Sequence, residues 1–153
     1  MWVAGSGRLA RTLEGHRNGV RSVAFDGQGK WLASGSSDRT VKVWEAGSGR
    51  LARTLEGHWG PVTRVAFDGQ GKWLASGSYD GTVRLWNPKT GACLAILFAT
   101  PEGWAAFRPD GAYRFGGDLR GNFWHAIAWA RFEPGELDEY FPGLRLGDDD
   151  PLI

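Results

Sequence analysis

The feature that most constrains this chain is that it repeats itself. Residues 5–44 and 47–86 align without a gap at a period of 42, and 31 of the 40 aligned positions are identical. Two units this similar must share one local structure, so a fold has to be built from a repeated piece. Each unit reads as four short strands. In the first they are Arg8 to Glu14, Val20 to Phe25, Trp31 to Ser36 and Thr40 to Trp44. The runs are short, rich in β-branched or aromatic residues, and bounded by turn residues: Asp26-Gly27-Gln28-Gly29, a tight turn at Asp38, and Gly47-Ser48-Gly49. The 24 glycines and nine tryptophans among 153 residues fit many tight turns around a rigid, repeated packing unit.

The unit resembles a WD40 repeat. Gly15-His16 and Gly57-His58 match that family's Gly-His pair, and Leu32-Ala33-Ser34-Gly35-Ser36 and Val41-Lys42-Val43-Trp44 match its last two strands. The residue after the tryptophan is Glu45 or Asn87 in place of the family's Asp. The resemblance implies an all-β chain, a β-propeller of four-stranded blades. A degenerate third unit is expected over 93–132. Cys93 to Phe98 reads as its first strand and Trp104 to Phe107 as its second, with a turn at Arg108-Pro109-Asp110-Gly111 and Tyr113 in the place of Trp31 and Trp73. Asp118 to Trp124 keeps the spacing of Asp38 to Trp44, while the Gly-His pair is gone. Residues 133–153 read as a tail, and Asp148-Asp149-Asp150 as a solvated charge run. Phe132 to Leu137 resembles the C-terminal ending of some bacterial members, and Trp2 aligns with Trp44 and Trp86. The expectation is the closing part of a bacterial-type propeller that begins in mid-blade. About three blades make an incomplete ring, because propellers have roughly four to eight.

The resemblance casts His16, Ser34, Asp38 and Trp44, and likewise His58, Ser76, Asp80 and Trp86, as structural tetrads. Their donor and acceptor order supports this: indole N–H only donates, hydroxyl and neutral imidazole do both, and carboxylate only accepts. Ser, His and Asp also make a hydrolase triad. Against that stand one set per blade, the tryptophan in each set, and no nucleophile-elbow sequence. Three dispersed histidines and one cysteine give no zinc spacing, and no phosphate loop is present. No cofactor and no enzyme activity are therefore expected. Cys93 reads as a small core residue and His125 as a packed or surface side chain.

The nine differences between the units carry the functional expectation. Arg17-Asn18-Gly19 becomes Trp59-Gly60-Pro61, Arg21-Ser22 becomes Thr63-Arg64, Ser37 becomes Tyr79, Arg39 becomes Gly81, and Lys42-Val43 becomes Arg84-Leu85. Most fall after the Gly-His pair or around the turn at Asp38, while the turn Asp26 to Lys30 is unchanged. In the family these two loops share one face of the disc. Arg17, Asn18, Arg21, Ser37, Arg39, Trp59, Thr63, Arg64 and Tyr79 are thus candidate contacts for a protein partner, and Trp, Tyr and Arg are enriched at binding hot spots. The competing reading is that exposed loops tolerate any change. The net charge of +1 gives no nucleic-acid footprint. No apolar run is long enough to span a membrane, and the lone cysteine fits a reducing compartment, the cytoplasm. A scaffold or recognition module is expected, or alternatively the sensor or regulatory region of a larger signalling or defence protein. It would complete its ring by homo-oligomerisation, as a six-bladed dimer or else a trimer, or by joining a larger WD40 chain.

Overall fold

The computed structural model describes residues 8–119, 143 and 145–153, together with the backbone of 125–127 and 130–132. The described residues are all-β, with no helix. A first sheet contains β1 (Val20–Phe25), β2 (Trp31–Ser36), β3 (Val41–Glu45) and β4 (Leu51–Leu55), antiparallel and in sequence order. The turn expected at 26–29 closes β1 on β2. Gly29 N–H donates to the Asp26 carbonyl at 3.0 Å, Trp31 N–H donates to Asp26 Oδ1 at 2.9 Å, and Gly29 takes φ +66°, where a glycine has no steric penalty.

Sheet and sequence unit are out of phase. The outer strand of the first sheet, β4, belongs to the second unit, and it pairs with β3 through Val41↔Leu55, Lys42↔Thr54 and Val43↔Arg53. Its counterpart Arg8 to Glu14, expected as a strand, forms none: only Leu9 sits in a bridge. The two segments have the same sequence, Arg-Leu-Ala-Arg-Thr-Leu-Glu. What differs is the partner, because β4 has the β3 ladder beside it. The segment still lies against the Gly47–Gly49 turn, where a Cβ on Gly49 would meet Arg11 and Leu13, as one on Gly91 would meet Arg53 and Leu55.

The second sheet repeats the first with β5 (Val62–Phe67), β6 (Leu74–Ser78), β7 (Thr82–Trp86) and β8 (Cys93–Ala99). It then continues into β9 (Gly103–Phe107) and β10 (Tyr113–Gly117). This departs from the expected third blade. The strands lie close to where the sequence puts them, but β9 pairs with β8, through Ile96↔Phe107 and Phe98↔Ala105, instead of starting a new sheet. The connection explains it. Passing from an outer strand to an inner one crosses three strand spacings, about 14 Å. Residues 56–61 make that journey between β4 and β5, whereas only Thr100-Pro101-Glu102 separate β8 from β9, a reach of about 10 Å. The stretch from Cys93 to Tyr113 is two residues shorter than that from Leu51 to Trp73, and it lacks the Gly-His pair that anchors the earlier crossing. A separate hairpin joins β11 (His125–Ile127) and β12 (Ala130–Phe132). Trp2, Trp124 and residues 133–137 lie outside the described residues, as does the side chain of His125.

Asp148, Asp149 and Asp150 are exposed, as expected of a solvated charge run, while backbone and side-chain bonds fasten the segment that carries them. Leu146 N–H donates to the Tyr113 carbonyl at 2.7 Å, and Arg145 bridges Tyr113 in parallel. Arg114 donates to the carbonyls of Gly147 and Asp150, and the Arg145 guanidinium lies 4.8 Å from the Phe115 ring centre. The tail thus covers the edge of β10, and Tyr113 is fully buried. Edge strands left open are sites of unwanted pairing, and this one has a cover.

The two sheets pack face to face. Ala33, Val41 and Val43 of the first meet Val62, Val65, Leu74 and Trp86 of the second in one buried cluster. Gly35 allows a close approach: a Cβ there would lie 2.6 Å from Val62 Cγ1 and 3.1 Å from Val65 Cγ1. Gly35→Val should therefore lower stability by about 1–3 kcal/mol through overpacking. Denaturant unfolding followed by tryptophan fluorescence measures this, and unchanged stability would show that the sheets do not meet as described.

Candidate functional site

The structure brings each set of four side chains together. In the first sheet Trp44 Nε1–H donates to Ser34 Oγ at 2.8 Å, Ser34 Oγ lies 2.8 Å from His16 Nε2, and His16 Nδ1 lies 2.8 Å from Asp38 Oδ2. The second sheet repeats these distances with Trp86, Ser76, His58 and Asp80. A carboxylate can only accept, so the histidine proton sits on Nδ1 and the serine proton turns toward Nε2. Every donor then has one acceptor, from the third strand, through the second, to the incoming loop and the turn.

Asp38 and Asp80 do more than end a chain. Asp38 Oδ2 accepts the Arg17 amide at 2.9 Å, while Oδ1 accepts the Thr40 amide at 3.0 Å and the Thr40 hydroxyl at 2.7 Å. Asp80 does the same with Trp59 and Thr82. The threonines were missed as site residues, although their place two after each aspartate in both units was the available signal. Ser36 and Ser78 were missed as well. The Ser36 hydroxyl donates to the Asn18 carbonyl at 3.0 Å and accepts the Asp38 amide at 3.1 Å, and Ser78 makes the same pair of bonds with Gly60 and Asp80. These bonds fasten the loop after each Gly-His pair to the neighbouring turn, so the diversified residues ride on a fixed base.

Arg17, Asn18, Ser37 and Arg39 lie on the loop and turn of the first sheet, and Trp59 and Tyr79 on those of the second. Trp59 and Tyr79 are 82% and 73% exposed, and Tyr79 N–H donates to the Pro61 carbonyl at 3.0 Å. Three of the nine candidates lie in strands instead. Arg21 is in β1, and its Nε donates to Ser37 Oγ at 2.7 Å, so both changed together to Thr63 and Tyr79. Thr63 and Arg64 are in β5; Thr63 Oγ1 donates to the Gly77 carbonyl at 3.2 Å. Arg64 and its counterpart Ser22 belong to the packing face: Ser22 Oγ accepts the Val65 amide of the second sheet at 3.2 Å. Between the two sets of loops runs a polar groove of about 500 Å³, lined by Arg17, Arg39 and Lys42 on one side and Thr54, Glu56 and His58 on the other.

Chemically, the sets have the hydrogen-bond order of a hydrolase triad, but the second set does not have its access. Ser76 is buried, and its oxygen already accepts the Trp86 N–H, so no carbonyl carbon can approach it. Burial also pushes the Cys93 thiol above its ordinary range, away from the reactive thiolate. Among the described residues no cluster of three or more potential metal ligands occurs.

Burial opposes the charge on Asp38 and Asp80, but the hydrogen bonds from threonine, histidine and backbone amides outweigh it. Both carboxyls are held well below the usual carboxylate range. Burial lowers the pKa of His58 below its usual 6.5, against the pull of Asp80. In each case the folded pKa is depressed, so the contribution to stability is full above the unfolded value and is lost as pH falls. The melting temperature should be level above neutrality, decline below about 6.5 as unfolded His58 takes a proton, and fall again below about 3.8 as the aspartates do. Calorimetry across pH checks this, and His58→Gln should remove the upper step. Ser76→Ala leaves a buried indole N–H and imidazole nitrogen unpaired and should cost about 1–3 kcal/mol. Ser34→Ala should cost less, because Ser34 lines an open cavity of about 460 Å³ beside His16 and Trp44 where water can substitute. Equal losses in thermal melts would contradict this difference in burial.

Comparison with known proteins agrees with this architecture. A family model described as WD domain, G-beta repeat matches residues 7–45 and again 49–87. The chain is 46% identical over 43 residues to a periodic tryptophan protein 2 homolog of Schizosaccharomyces pombe, covering 28% of this chain and 5% of that protein. It is 52% identical over 33 residues to the protein pleiotropic regulatory locus 1 of Arabidopsis thaliana (22% and 7%), and 59% identical over 32 residues to the target of rapamycin complex subunit wat1 of S. pombe (21% and 10%). The chain therefore spans a tenth or less of the length of these relatives. Two matched repeats, packed as antiparallel sheets and each with its Trp-Ser-His-Asp relay, establish that this chain belongs to the WD40-repeat family.

Proposed function

We propose that this chain is a non-catalytic recognition module whose partner, a protein, docks on the face formed by the loops at 15–19 and 57–61 and the turns at 36–40 and 78–82. The observation that carries the reading is the pair Trp59 and Tyr79. Two large aromatics stand in solvent on loops otherwise pinned by six hydrogen bonds to Asp80 and Ser78. Exposed aromatic side chains on a rigid base lose little entropy on binding. WD40 repeats in general serve as interaction scaffolds. The tetrads, on this reading, are the structural support and not a reaction centre.

Arg39 adds to the case. It holds φ +71°, a left-handed conformation, at the position where the second unit has Gly81 at φ +81°. A non-glycine residue there costs about 1 kcal/mol, and strain of this kind tends to collect at functional sites. The partner surface then has a basic half, Arg17, Arg21 and Arg39, beside an aromatic half, Trp59 and Tyr79. A reducing compartment such as the cytoplasm is part of the proposal, resting on the single cysteine.

The test is capture of the partner by the immobilised chain, followed by calorimetric titration of variants. Trp59→Ala and Tyr79→Ala should each weaken binding by about 1–2 kcal/mol with the melting temperature unchanged. Arg39→Gly should weaken binding while raising stability by up to about 1 kcal/mol. Full affinity in the Trp59→Ala/Tyr79→Ala double variant would move the partner off this face. Loss of binding on altering Lys30 and Lys72, beside the unchanged turns, would place it on the opposite one.

A further inference from the structure

Each sheet has a front face of small residues and a back face of larger ones, and the chain joins one front to one back. At that junction Gly35 receives Val62 and Val65, and a Cβ on Gly27 would lie 2.6 Å from the Gly69 carbonyl oxygen. The repeat leaves a second set of the same pieces unmatched. Gly77 is the counterpart of Gly35, yet among the described residues nothing lies closer to its Cβ position than Arg64 Cβ at 3.9 Å. Gly69 is the counterpart of Gly27, and a Cβ there would meet nothing within 4 Å among the described residues. Val20 and Val23 are the counterparts of Val62 and Val65. They are 52% and 61% exposed, against 0% and 8%. Val83 is 40% exposed where its counterpart Val41 is fully buried. One face lacks its knobs, and the other lacks its hole.

We propose that this chain associates with itself head to tail, the back face of β1 in one copy seating through Val20 and Val23 on the front face around Gly77 of a second copy. The occupant follows from the junction already present. The same side chains, in the same strands, are joined inside one chain, and the interchain contact continues that interface. Apolar surface of this kind drives association when left open. The contact is heterologous, so it extends to a ring when the rotation closes and to an open chain of subunits when it does not. One feature of the internal junction is not reproduced. Ser22 Oγ accepts the Val65 amide, but its counterpart on the second front face is Arg64, which offers no acceptor. The interchain junction is therefore the weaker of the two. Leu152 of the tail lines the outer part of the same front face beside Val83, Leu97 and Trp104, and the seat lies inward of it, at Gly77.

Analytical ultracentrifugation of the full chain across a dilution series tests this. The wild-type chain should sediment above its single-chain mass of 16.7 kDa and dissociate on dilution. Gly77→Val fills the hole from the front, where there is room for it in the single chain. It should leave the fluorescence and melting temperature intact and weaken association by at least about tenfold, the equivalent of about 1.4 kcal/mol. Val23→Asp spoils the knob side and should do the same. Each variant keeps one sound face, so a mixture of the two should form pairs that grow no further. A wild-type chain that stays single at every concentration overturns the proposal and leaves these faces to blades of another polypeptide. Self-association that Gly77→Val leaves unchanged, or variants that fail to pair on mixing, also overturn it. Because neither substitution touches Trp59 or Tyr79, partner binding at the loop face is read separately.

Discussion

An antiparallel sheet of four short strands has two faces and cannot cover either one itself. Everything else in this molecule follows from how one such face is covered. Small residues on the front of the first sheet, Ala33 and Gly35, admit the side chains of Val62 and Val65 from the back of the second. Glycine in a strand normally weakens it. Here the loss is offset by the contact that the absent side chain permits, and the same trade recurs at the turns, where Gly27 lies against Gly69.

The polar relays depend on that packing. Ser76 bonds an indole and an imidazole where it is almost fully buried, at the face that meets the first sheet. Polar groups in such a place are costly when unpaired, which is why the set comes complete: each donor from Trp86 to His58 has its acceptor. The relay in turn fixes the loop after Gly57, since Asp80 holds the Trp59 amide with the same oxygen that holds His58. Core packing, buried relay and surface loop form one line of support. Side chains on the loop can change without disturbing it because the bonds that hold the loop are made by its backbone.

Much of this was legible in the sequence because the unit occurs twice. The strands of both sheets and the turn at Asp26 follow from residue type and spacing, and the assembly of tryptophan, serine, histidine and aspartate from the family resemblance. What was not legible depended on partners. The segment Arg8 to Glu14 has the sequence of a strand, and the same seven residues at 50–56 contain one, at 51–55, but pairing is a property of two segments and not of one. The third unit went astray for a related reason. Strand positions survived the degeneration of its sequence, while the connection that would carry the chain to a new sheet did not. The grouping of Thr63 and Arg64 with the loops failed because proximity along the chain to Gly57-His58 says nothing of which way a strand residue faces. Thr40 and Ser36 went unnoticed because they are small and common, and their importance lies in which backbone groups they reach.

The displacement between sequence unit and sheet has a consequence for how such a gene can change length. The second unit ends the first sheet with its first strand and begins the second sheet with its second, so the boundary between the two sheets falls inside a unit and not between two units. Recombination between two copies that are identical at 31 of 40 positions would add or delete 42 codons at a stroke. It would produce no junction the protein does not already contain. The array can be lengthened or shortened without new packing having to be invented, and selection is left to act on the few loop positions at which one copy departs from the other.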